Sequence, residues 1–167
     1  MNDLYAETAV KRKTTTSDIA LKAVLIIGII LIFILSIVLS GQFGRILTFA
    51  AMIAVVVLVW YWPRFHVEWE YVFCDGQLDF DMILGGDKRK QVLRIEIEQA
   101  DLIAPIDSNR MDGYRHLKRK DYSSLRTDTK KYAIVTKLKE EKIVLVFEPN
   151  EKMLDMMMAK APNIVEL

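Results

Sequence analysis

A single cysteine, Cys74, and two histidines, His66 and His116, are all the thiol and imidazole that this 167-residue chain holds. One thiol excludes an intramolecular disulfide and fits a reducing compartment. Cys74 borders the acidic turn Asp75-Gly76, which disfavours a reactive thiolate. Ser123-Ser124 has no Gly-rich elbow and no base beside it. No catalytic, cofactor-binding or metal-ligating residue is assigned, and the chain is expected not to be an enzyme. An excess of one charge is missing too: the formal net charge is +1, split as +2 over residues 1–62 and −1 over residues 63–167. A near-neutral soluble part argues against a nucleic-acid partner, because such affinity rests on surplus positive charge.

Charge is scarcest between Ala23 and Trp62, where Arg45 stands alone in AVLIIGIILIFILSIVLSGQFGRILTFAAMIAVVVLVWYW. Two uncharged runs flank it, Ala23 to Gly44 and Ile46 to Trp62. At about 1.5 Å per residue, seventeen helical residues span about 25 Å and twenty-two about 33 Å, enough for the hydrocarbon core of a bilayer. The connection Ser40-Gly41-Gln42-Phe43-Gly44-Arg45 is rich in helix breakers, and Pro63 stops the second helix. Two transmembrane helices are therefore expected within residues 20–62, at about 20–41 and 45–62. A buried soluble hairpin would rarely run so long without a polar face. No ionisable group lies inside either run, which argues against an ion or proton path. Ala50 and Ala54 form a small-xxx-small pair of the kind that allows close helix packing, but they read first as ordinary residues of a membrane helix. Lys11, Arg12, Lys13 and Lys22 precede the block and Arg64 follows it, with Arg45 alone in the loop. The positive-inside rule then places both termini in the cytoplasm of a multi-pass cell-membrane protein. Residues 1–19 read as a flexible basic tail, with Ser17 or Asp18 as a helix cap.

From Val67 the period becomes two. Val67, Trp69, Tyr71 and Phe73 alternate with Glu68 and Glu70; Leu78, Phe80, Met82 and Leu84 alternate with Asp79 and Asp81; Leu93, Ile95 and Ile97 alternate with Arg94, Glu96 and Glu98. Asp75-Gly76 and Gly85-Gly86-Asp87 supply the turns of a three-stranded meander. If Cys74 pairs with Gln77, Glu70 faces Asp81, a like-charge pair that Arg94 offsets in one register of the next hairpin, while a shift of two residues keeps the face and loses that contact. These carboxylates have no His or third acid at ligand spacing and read as solvated. Ala100 to Ile106 predicts a fourth strand. The segment 107–131 has little alternation, with Met111, Tyr114 and Leu117 as material for a short strand, and eight Lys/Arg from Arg110 onward. Tyr132–Leu138 and Ile143–Glu148 predict another hairpin, and Val144 and Val146 make its second strand apolar on both faces, as in a central or covered position. Asn150 caps a last helix whose Met153, Leu154, Met157, Met158 and Ala161 form one stripe, read as core packing.

Strands followed by one C-terminal amphipathic helix give the order of a PH-like antiparallel barrel closed by that helix. The fold class is thus a membrane α-helical hairpin plus a mainly β soluble domain over residues 64–167. The segments Glu70-Tyr71-Val72, Asp75-Gly76-Gln77-Leu78-Asp79, Lys88-Arg89-Lys90, Ala104-Pro105 and Asp121-Tyr122-Ser123-Ser124 resemble the small clostridial two-span membrane proteins of the uncharacterised DUF6106 type, which carry a PH-like or YcxB-like domain. The resemblance covers most of residues 20–160 and brings no functional residue with it. In eukaryotic PH domains a basic loop between the first two strands binds lipid; the acidic, tight Asp75-Gly76 departs from that pattern.

The function expected is a non-catalytic, membrane-tethered module that binds a protein partner or the anionic membrane surface at the cytoplasmic face. Its contact residues are Lys88, Arg89, Lys90, Arg94, Arg115, Lys118, Arg119 and Lys120, within two basic clusters that extend to Lys131. Beside anionic lipid headgroups each cation contributes about 1 kcal/mol, less at high salt. The alternative is an accessory subunit of a larger membrane complex, with specificity carried by the transmembrane helices.

Overall fold

Tyr5–Lys11 is a β-strand, β1, where the sequence predicted a flexible tail. Ala6, Thr8 and Val10 turn inward while Tyr5, Glu7, Ala9 and Lys11 stay exposed. The inward residues are small, so the alternation carries little hydrophobic signal. The partner is remote: Tyr5 pairs with Cys74 and Lys11 with Glu68 on β2 (Val67–Cys74). Arg12 N–H continues the ladder to Val67 O at 2.9 Å, and Lys13 N–H reaches Ser124 O at 2.7 Å. The computed structural model describes residues 5–39 and 41–166, the side chain of Arg64 excepted. Ser40, counted above in the helix connection, and the first four residues of the tail lie outside the described residues.

The chain forms two compact units. One holds the chain up to Lys13, Val67–Ile83 and everything from Asp87; the other holds Thr14–His66 with Leu84–Gly86. The helical hairpin is therefore inserted between β1 and β2, and the β unit does not begin at residue 64.

In the hairpin unit, α1 spans Thr16–Val38 and α2 spans Gln42–Tyr61. Both start a few residues earlier than the sequence predicted. Thr15, not Ser17 or Asp18, is the N-cap of α1, and its N–H donates to Asp18 Oδ2 at 3.0 Å. Gly41, at φ 87°, turns the chain between the helices. At about 1.5 Å per residue these helices are about 34 and 30 Å long. Both are long and apolar enough to cross a membrane, and only 6% and 11% of their most apolar stretches are buried. The small residues that close the hairpin are Ser36, Gly44 and Ala51, all buried. Ala50 is exposed, so the pair Ala50/Ala54 does not make the contact. A Cβ on Gly44 would collide with the carbonyl oxygens of Leu39 and Ser36. At the other end Lys22 Nζ lies over Trp62 and Phe65, 5.2 and 4.8 Å from the ring centres.

The β unit contains two four-stranded sheets. The first has the order β1-β2-β3-β4, with β3 at Gln77–Leu84 and β4 at Lys88–Glu96. The second has the order β5-β7-β8-β6, with β5 at Leu102–Pro105, β6 at Lys118–Asp121, β7 at Tyr132–Leu138 and β8 at Glu141–Phe147. Hydrogen bonding among the described residues keeps the sheets separate and closes no barrel. Asp75 and Gly76, at φ 45° and 98°, make the predicted tight turn between β2 and β3. The connection between the first two strands is the helical hairpin, not Asp75-Gly76.

The main core joins both sheets through Tyr71, Phe73, Phe80, Ile97, Ile134, Leu145 and Phe147. Phe80 meets Tyr71 and Phe147 at ring distances of 5.6 and 5.8 Å. Helix α3, Glu151–Lys160, adds Met153, Leu154 and Met157 to this core. Asn150 caps it as predicted, its Oδ1 accepting from Met153 N–H at 2.8 Å while its Nδ2 donates to Glu7 O of β1 at 3.2 Å. A second cluster, built on Leu102, Ala104, Ala133, Val135, Val144 and Val146, covers the other face of the second sheet. This explains why Val144 and Val146 are apolar: β8 is central and covered on both faces. Met111, Tyr114 and Leu117 pack into this cluster rather than forming a strand. The strand in that region is the charged Lys118–Asp121, parallel to β8.

Candidate functional site

The eight cations expected to meet an anionic surface do not form one patch. Lys88, Arg89, Lys90 and Arg94 lie on β4, the edge of the first sheet. Lys118, Arg119 and Lys120 lie on β6, an edge of the second, and Arg115 precedes them. Lysine-rich edges have a structural use in their own right, since they discourage strand pairing with other chains.

Three of the eight are committed to internal ion pairs. Arg94 forks onto Asp79, with Nε to Oδ1 at 2.6 Å and Nη2 to Oδ2 at 2.7 Å. Arg115 pairs with Asp112 at 2.8 Å. Arg89 joins Glu70 on β2 and Asp81 on β3, reaching Asp81 Oδ2 at 3.1 Å. The cation that offsets the Glu70–Asp81 pair is thus Arg89, not Arg94, because the fork to Asp79 engages Arg94 across the β3–β4 ladder. Glu70 is buried rather than solvated. Asp81 Oδ1 is buried without a hydrogen-bond donor. Burial, then the neighbouring Asp79, push the Asp81 carboxyl above its ordinary range, while Arg94 pulls it back. Among the described residues Lys88, Lys90, Lys118, Arg119 and Lys120 make no ion pair. Lys118 and Lys120 line an open hollow of about 650 Å³ with Leu138–Glu141 and Ile143.

Sequence reasoning did not single out Glu148, at the end of β8. Its side chain is buried, and Oε1 accepts from Ser124 N–H at 3.0 Å, Ser124 Oγ at 2.8 Å and Thr129 Oγ1 at 3.0 Å. Ser123-Ser124 are therefore buried structural hydroxyls. Ser123 Oγ accepts from Leu125 N–H and Ser124 Oγ from Arg126 N–H, both at 3.2 Å. The carboxylate pins the loop between β6 and β7 from inside. An acidic residue closing the apolar run Ile143–Phe147 was the available signal, since an ionised side chain beside a covered strand needs donors.

Cys74, His66 and His116 are all exposed. Among the described residues no group of three or more His, Cys, Asp or Glu side chains is placed to hold a metal ion.

A family model described as a bacterial PH-like domain (DUF6106) matches residues 2–167. No curated protein and no solved structure matches the chain.

Proposed function

The chain belongs to the DUF6106 family of bacterial PH-like domains, and on that footing we propose that it is a non-catalytic module, anchored in the cell membrane by two spans, that binds a protein partner or the anionic membrane surface at the cytoplasmic face. The observation that carries this reading is the insertion of two largely unburied apolar helices between paired strands. A hairpin that leaves and re-enters one sheet at neighbouring strands puts both of its ends on the same side of a bilayer. The surplus of Lys11, Arg12, Lys13 and Lys22 over the lone Arg45 favours the cytoplasmic side. The PH-like family supports a binding role, and we expect α3 to close one end of the β structure as in such barrels.

The unpaired edge cations Lys88, Lys90, Lys118, Arg119 and Lys120 are the proposed contacts with headgroups or with an acidic partner. The test is lysine acetylation of the full-length protein in bilayer nanodiscs. Slower acetylation of Lys88, Lys90, Lys118 and Lys120 in anionic than in neutral discs, relieved by salt, supports membrane contact. Equal rates refute it and leave the protein-partner branch, which in-cell crosslinking reads.

A second reading is favoured by one feature of the hairpin. Gly28, Ile29, Ile32, Ala54 and Leu58 line part of an apolar hollow of about 490 Å³. An accessory subunit whose helices select its partner would use such a surface. Exchanging the hairpin for an unrelated one separates the two readings: crosslinked partners that persist are read by the β unit.

A further inference from the structure

The loop between β6 and β7 carries cations that make no ion pair among the described residues. Arg126, Lys130 and Lys131, with Thr127 and Thr129, line an open cavity of about 620 Å³. Its remaining wall is Pro105, Ile106, Asp107, Asp128 and Tyr132. That volume lies in the range of small-molecule sites. Among the described residues no ion pair joins these three cations to Asp107 or Asp128.

The cavity is held rigidly. On one side Pro105 pairs with Tyr132 at the end of the β5–β7 ladder, and Ile106 N–H donates to Lys131 O at 3.0 Å. On the other, buried Glu148 holds Ser124 and Thr129. Between these anchors Leu125 sits at φ 60°, a left-handed conformation that a leucine rarely adopts. Such strain persists only where surrounding bonds over-determine it, and it concentrates at binding and switch sites. Here the bonds are those of Ser123 Oγ, Ser124 Oγ and Glu148.

We propose that this cavity binds one phosphate group carried on a small polar molecule, with Arg126, Lys130 and Lys131 as the charged contacts and the Thr127 hydroxyl as a donor. Guanidinium and ammonium groups recognise phosphate through charge-assisted hydrogen bonds. Asp107 and Asp128 leave the lining at a net +1, which suits a single phosphate and opposes a polyanion such as nucleic acid. The site goes beyond the proposed membrane contact, because it uses none of the edge cations and stands whether or not they touch a leaflet.

The same phosphate chemistry comes from a lipid headgroup or from a soluble phosphoester. The full-length protein in maltoside micelles, which contain no phosphate, is titrated separately with glycerol 3-phosphate and with dihexanoylphosphatidylglycerol. The acetylation rates of Lys130 and Lys131 are read relative to Lys88 and Lys90. Saturating ligand slows Lys130 and Lys131 by about threefold or more, and Arg126→Ala abolishes the effect. Protection by the lipid alone assigns the site to a headgroup; protection by both assigns it to soluble phosphoesters as well. No protection by either probe, or protection unchanged in Arg126→Ala, overturns the proposal. Arg126 is exposed, so that variant keeps its fold, and its melting curve verifies this. Glu148→Ala gives an independent check: it leaves all three cations in place, removes the acceptor that holds Ser124 and Thr129, and weakens protection. Failure here leaves the nanodisc result for the edge lysines intact, and the reverse also holds.

Discussion

Lys11 stands opposite Glu68 at the end of the β1–β2 ladder, and their side chains pair at 3.4 Å. The whole helical hairpin lies between them in the sequence. The ion pair itself is weak, since Lys11 is 80% exposed. Its meaning is topological: the β unit is completed by a strand that precedes the helical hairpin in the chain.

Loss of β1 therefore damages a domain that sequence boundaries would call complete. A fragment of residues 64–167 lacks the partner of β2 and the buried Ala6. It is expected to melt well below the full chain, or not to fold. In the full chain Ala6→Asp buries an unpaired charge at a site 1% exposed and is expected to cost about 2–4 kcal/mol. A fragment that melts like the full-length protein, followed by circular dichroism in the same detergent, would refute the role of β1.

Arg89 compensates two carboxylates that burial has made costly. Arg89→Ala leaves Glu70 and Asp81 facing each other and is expected to destabilise by about 1–3 kcal/mol, below the roughly 3–5 kcal/mol of a fully buried pair because Arg89 is half exposed. The pH dependence has a definite sign. Asp81 has a raised carboxyl in the folded state, so the native state holds its proton at pH values where the unfolded chain has released it. Its contribution falls as pH rises from the ordinary carboxylate range up to the raised value, and is level above that. Asp81→Asn removes this slope. Urea melts of the wild type and both variants between acid and neutral pH measure it; an identical slope in Asp81→Asn would count against the buried carboxylate.

Glu148 is expected to matter more to the loop than to the core. Glu148→Ala removes the acceptor of three hydrogen bonds and strands buried donors, at a cost of about 2–4 kcal/mol. Glu148→Gln keeps one carbonyl oxygen and costs less. The diagnostic effect is local: protease cleavage after Arg126, Lys130 or Lys131 speeds up before global unfolding. Cleavage rates that track global stability alone would remove Glu148 from its role as the loop's anchor.

What could be read in advance followed from local signals. The apolar block, the Asp75-Gly76 turn, the Asn150 cap and the inward row of β2 and β3 each announce themselves within a few residues. Four features did not. β1 hides because Ala6, Thr8 and Val10 are small and pair only after the hairpin has brought the chain back. β6 hides because Lys118–Asp121 is charged on both faces and owes its strand form to the parallel partner β8. Arg89 and Arg94 exchanged roles because a period of two fixes which face a residue takes, not which partner along that face it reaches. The anchored loop is legible only in space, where Glu148 meets Ser124 and Thr129.

Two glycines of the hairpin separate close packing from mere apolar composition. Gly28 has nothing within 4 Å of an added Cβ, so Gly28→Ala is expected to be neutral or slightly stabilising through its helix propensity. Gly44 lies against the backbone carbonyls of Leu39 and Ser36, which cannot move without uncapping α1 or reshaping the turn. Gly44→Ala is therefore expected to open the hairpin and cost about 2 kcal/mol or more. Pairs of labels at Val38 and Phe43 report the opening by spin-echo distance measurement, in a background where Cys74 is replaced by serine. Their separation widens in Gly44→Ala and not in Gly28→Ala. The same separation in both variants would mean that the helices are not held at Gly44.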